Sequence, residues 1–61
     1  MLKLPRFVKE FASYQVKRIT INELMNKETK QEIIRRIEKA VSMAGYGLIT
    51  ISECMKLLSD I

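Results

Sequence analysis

Leu4, Val8, Phe11, Ala12 and Ile19 recur along the first third of the chain at the spacing of one helical face, and Phe7, Tyr14 and Val16 widen the stripe on either side. Pro5 suits a first helical turn, so the pattern predicts a helix from about 5 to 18 whose apolar arc is wider than one neighbouring face needs. The second segment has the clearest period: Ile33, Ile34, Ile37, Ala40, Val41 and Ala44 fall within about a third of the circumference at about 100° per residue. Its outer face carries Glu28, Glu32, Arg35 and Lys39, and Glu32 stands four residues before Arg36, the favourable order for a helical ion pair. Gly45 sits where a left-handed cap would end this helix, and Gly47 gives the connection further freedom. The expected bounds are about 27 to 44.

Where that helix starts is open from the pattern alone. Asn26 is a good cap, while Thr20-Ile21-Asn22-Glu23 also has the spacing of a capping box. A short helical or irregular link over 20 to 26 is expected, with Ile21, Leu24 and Met25 packing on the bundle. Further on, Thr50 is placed to accept from the Glu53 amide while Glu53 reaches back to the Thr50 amide, and Ile49 and Cys54 are spaced as a hydrophobic staple. From there Ile51, Cys54, Met55, Leu58 and Ile61 form one stripe, with Leu57 at its edge and Ser52, Glu53, Lys56 and Asp60 facing out. A third helix over about 51 to 60 follows. The short connection makes helices two and three antiparallel, and the expected fold is a single all-α domain, a small three-helix bundle.

Length changes that picture in one respect. A chain of 61 residues, 48% of them hydrophobic, belongs to a size class that hides only about 60% of its unfolded surface. Some apolar side chains are therefore expected to meet a protein partner or a second copy. No apolar run approaches the 18 or so residues that span a bilayer. Met1-Leu2-Lys3-Leu4-Pro5-Arg6 has early positive charge, but Lys9 and Glu10 stand where a signal peptide needs its apolar core. A cytoplasmic location is expected. Cys54 is the only cysteine, so no internal disulfide can form, and on a predicted buried face it acts as a small hydrophobe.

Chemistry is sparse. The chain has no His, so the commonest acid-base group and transition-metal ligand is missing. One Cys with scattered carboxylates does not make a zinc site. Glu28 and Glu32 lie one turn apart, but Arg35 and Lys39 continue them as an exposed mixed-charge face. Gly45-Tyr46-Gly47 ends a helix, where carbonyl oxygens repel phosphate. No enzyme activity, cofactor, metal or small-molecule substrate is expected.

The net charge of +4 is uneven. Lys3, Arg6, Lys9, Lys17 and Arg18 oppose only Glu10 in the first 18 residues, and the remainder nearly cancels. Arg6, Lys9 and Lys17 fall opposite the apolar stripe of the first helix, with Arg18 nearby. These four are candidate contacts for phosphates or an acidic protein, and such contacts weaken as salt rises. The plainer reading is a solvated face that keeps a small domain soluble. Phe7, Val8 and Phe11 are better spent inside a bundle with few other aromatics than on a membrane, so no membrane partner is expected. Phe7, Phe11, Tyr14 and Val16 are the candidate partner surface.

Three resemblances bear on function. "LITISECMKLLSDI" resembles the first helix of the winged-helix DNA-binding domains of excisionases and mercury-resistance-type regulators, in which a turn and a recognition helix follow. No such element follows within these residues, so this likeness is not expected to carry base reading. "RRIEKAVSMAGYGLITISECMKLL" is similar to short C-terminal helical hairpins of bacterial proteins, which implies an interaction or oligomerisation piece. From about 7 to 58, "FVKEFASYQVKRI", "NELM", "IIRRIEKAV" and "GLITISECMKLL" together resemble small uncharacterised helical proteins of conjugative transposons and other mobile elements of clostridia and related Firmicutes. That likeness implies a genomic setting and no activity. The leading expectation is a protein-interaction module that forms a homo-oligomer, most simply a homodimer. The alternative is an accessory DNA binder that uses the basic face of the first helix without reading sequence.

Overall fold

The computed structural model describes residues 3–61; Met1 and Leu2, which open the segment read above for leader character, lie outside the described residues. Three helices follow in order: α1 over Arg6–Thr20, α2 over Lys27–Gly45 and α3 over Ile51–Ser59. No helix among them is long and apolar enough to cross a membrane. The fold is the expected all-α three-helix bundle, with each helix packed on both others.

The polarity of the packing is fixed by contacts at both ends. Lys30 near the start of α2 donates to the carbonyl of Thr20 at the end of α1 (3.0 Å), and Lys9 to Lys17, earlier in α1, share a groove with Ile37 to Ser42, later in α2, so these two helices run antiparallel. Gln15 and Arg18 reach Leu58 and Ile61, so α1 and α3 run parallel. Val8, Ile19, Ile37, Cys54 and Leu58 are fully enclosed between them, with Leu4, Ala12, Ala40 and Ala44 closing the core. Small residues in three of these positions let the helix axes approach. Each large buried side chain contributes about 1.5–3 kcal/mol by leaving water.

Helix α2 begins at Asn26, whose side-chain oxygen accepts from the Thr29 amide at 2.7 Å. The capping-box spacing at Thr20 is not used as a helix start. Thr20 is instead the last residue of α1, and its hydroxyl donates back to the Val16 carbonyl. The link differs from expectation. Asn22 accepts from the Leu24 amide at 2.8 Å, making a tight Asx turn. Leu24 in that turn is 97% exposed and Ile21 68% exposed, so only Met25 of the three is partly buried.

The cap between α2 and α3 also moves. Gly45 remains helical and buried, and Gly47 takes the left-handed conformation with φ 77°. Leu48 N–H donates to Met43 and Gly47 N–H to Ala44, the pair of bonds that defines a Schellman stop one step past the helix. These bonds need the left-handed residue two positions after Gly45, which is why the second glycine carries it.

Thr50 caps α3 by accepting from the Glu53 amide at 3.1 Å. The return bond, in which the Thr50 amide would donate to the Glu53 carboxylate, is not formed, so only half of the expected box is present. Ile49 and Cys54 both join the core, as a staple requires. Thr50→Ala is expected to lower stability by about 1 kcal/mol, measured as a shift of the urea midpoint; an unchanged midpoint would mean that packing alone holds the start of α3. Glu32 and Arg36 do not pair. The one ion pair among the described residues is Arg6–Glu10 at 3.0 Å, between two exposed groups, where an ion pair adds little.

Candidate functional site

Residues 7, 11, 14, 18 and 21 follow one another at alternating intervals of four and three, which places Phe7, Phe11, Tyr14, Arg18 and Ile21 within an arc of about 80°. The buried residues of α1, namely Val8, Ala12, Gln15 and Ile19, centre about 100° further round. Arg18 belongs to the row and bonds the end of the α3 segment, so the row borders α3. Phe11 is partly buried against the core, and its ring lies 6.4 Å from that of Tyr14, tilted by 32°. Phe7 and Tyr14 are 54% and 61% exposed. Tyr14 and Ile21 line one shallow depression with Lys17 and Arg18.

Val16, the fourth candidate of the partner surface, lies elsewhere. It is half-buried on the opposite flank of α1, in a groove shared with α2 that Ala12, Ile37 and Val41 also line. The wide arc of α1 is therefore two surfaces separated by the line of core contacts. The four basic candidates divide as well. Arg6 is paired with Glu10. Arg18 donates from Nε to Gln15 Oε1 at 2.9 Å and from Nη2 to the Ile61 carbonyl at 2.8 Å. Lys9 and Lys17 make no such bond and stand on the rim of the α1–α2 groove.

Gln15 is the residue that the apolar pattern passes over. It occupies a core position between Ala12 and Ile19, is buried, and donates from Nε2 to the Leu58 carbonyl at 2.7 Å. That carbonyl is among the last of α3, which lack partners within the helix. One glutamine thus joins α1 to the end of α3 and holds the Arg18 guanidinium. The available signal was a polar residue at an apolar spacing, which in a folded domain requires a bonding partner. No buried side-chain nitrogen or oxygen among the described residues lacks one.

Cys54 is enclosed in the core, and burial pushes its thiol pKa up, which keeps it neutral and weakly nucleophilic. No group of three or more His, Cys, Asp or Glu among the described residues is placed to hold a metal ion. Tyr46 and Leu48 are exposed in the α2–α3 turn, where Leu48 shares a depression with Leu4 and Ile51. The chain matches no family model, no curated protein and no solved structure.

Proposed function

We propose that the protein is a helical interaction module that self-associates through the α1 row. The observation that carries this reading is the run of exposed Phe7, Tyr14 and Ile21 along one line, with Phe11 as its partly buried base. Single exposed apolar residues are ordinary; three on one line over about 21 Å, interrupted only by Arg18, support reading it as a contact surface. A second copy placed by a two-fold axis would lay the row on its own mate, the commonest oligomeric arrangement. Two of the cations that would oppose such pairing are already engaged, Arg6 by Glu10 and Arg18 by Gln15 and Ile61. Work in a mobile genetic element is the setting that the resemblance over residues 7 to 58 implies.

The reading is tested by sedimentation equilibrium from low micromolar to millimolar concentration. Wild type is expected to dimerise, and Phe7→Lys with Tyr14→Lys to stay monomeric with an unchanged circular dichroism spectrum and urea midpoint. Wild-type protein that remains monomeric throughout the range would remove self-association. Loss of helicity in the double variant would show that the row supports the fold.

A further inference from the structure

The α1–α2 groove lies on the other flank of α1 from the proposed dimer row, and it has a chemistry of its own. It is an open trough of about 560 Å³. Its apolar surface is Val16 and Val41, both half-buried, over Ala12 and Ile37, which are buried in the core. Lys9 and Lys17 stand along the α1 rim and Glu38 on the α2 rim. The two lysines are eight residues apart on one helix, about 12 Å, and neither is bonded to another side chain among the described residues.

We infer that this groove docks an acidic amphipathic helix of a different protein, its apolar face on Val16 and Val41 and its carboxylates on Lys9 and Lys17. An apolar floor without a charged rim would accept many occupants; two free cations spaced by just over two helical turns select a helix with acids about two turns apart along one edge. Glu38 sets the orientation. A carboxylate brought against the α2 rim would meet it, so the acidic edge of the partner must lie over α1.

The α3 face of a second copy is a poor fit. It carries Glu53, Leu57 and Asp60, and there Leu57 and Asp60 share a depression with Arg36 and Lys39. Docking that face would set cation against cation.

The probe is a synthetic helical peptide with Leu at i, i+3, i+4 and i+7 and Glu at i+1 and i+8, titrated into the isotope-labelled full chain and followed by amide chemical shifts. The expected result is saturable binding that perturbs Val16, Ile37, Val41 and Ser42 and weakens as salt is raised. Lys9→Glu with Lys17→Glu should weaken it at least about tenfold, while Glu38→Gln should tighten it. Both sets of variants change only exposed residues, and their opposite signs separate a lost contact from a lost fold. A peptide with Lys in place of Glu should not bind.

The inference is overturned by absence of binding at millimolar peptide, by equal binding of the Lys peptide, by weaker binding to Glu38→Gln, or by perturbations confined to Phe7 and Tyr14. Shifts at Val16 and Val41 that follow protein concentration without peptide would also overturn it, since the groove would then be filled by a second copy. A Phe7→Ser, Tyr14→Ser variant, which adds no charge beside Lys17, should lose the dimer and still bind the peptide at Val16 and Val41, so failure of the dimer and failure of the groove give different results.

Discussion

Leu58→Ala is expected to remove a large fraction of the stability of the domain. Leu58 is fully enclosed and is the largest core side chain that α3 contributes. Cutting such a residue back to a methyl group costs about 2–5 kcal/mol, from lost transfer energy and from the cavity that neighbouring residues only partly fill. A domain of this size holds roughly 3–9 kcal/mol in all, so the loss is a large share of what is available. Urea denaturation followed by far-UV circular dichroism measures it, and with a slope of about 1 kcal/mol per molar the midpoint should fall by about 2 M or more. Leu57→Ala, one residue away and half-exposed, should cost under about 1 kcal/mol. Equal effects of the two substitutions would mean that α3 is not docked by the face described.

The second large effect falls on a polar residue. Gln15→Met keeps the length of the side chain and removes both of its bonds, leaving the Leu58 carbonyl buried without a partner and Arg18 without its oxygen. An unpaired buried polar group costs about 1–3 kcal/mol. Arg18→Ala should cost less, because that guanidinium works at the surface, and the double variant should fall short of the sum of the singles because the two residues act through one network. Hydrogen exchange in the last turn of α3 should accelerate in Gln15→Met while α2 keeps its protection. Uniform loss of protection would mean that Gln15 fills space and that its bond to α3 contributes little.

Burial of Cys54 adds a pH dependence of definite sign. Because the folded thiol titrates above its ordinary value, folding and the neutral thiol favour each other. This contribution is full below the unfolded thiol pKa and is lost as pH rises through the higher folded value.

How far these features could be read in advance depended on how local they are. Asn26 and Thr50 bond amides three residues on, so residue type and spacing suffice to find them. The same held for the core residues of α2, where a narrow apolar stripe has only one way to face the bundle. The left-handed cap was misplaced because both glycines satisfy the residue preference and only the bond pair from Gly47 and Leu48 chooses between them. Leu24 was expected inside because it is apolar; the Asn22 turn, a local bond that competes with burial, keeps it in water.

The candidate site was less legible. Phe7, Phe11, Tyr14 and Val16 were all recognisable as excess apolar surface on α1, but a helical period assigns angles about one axis and says nothing of where neighbouring axes lie. The position of α3, set by Leu58, Gln15 and Arg18, leaves the first three along its border. The position of α2 puts Val16 with Lys9 and Lys17 in a groove. Sequence alone thus determined three amphipathic helices, two of them capped at Asn26 and Thr50, and a charge concentrated on the first, because those follow from interactions within four residues. Tertiary structure alone decided which side of α1 each surplus residue serves, which cations remain unengaged, and that a glutamine sits in the core, because each depends on contacts between residues as many as 43 positions apart.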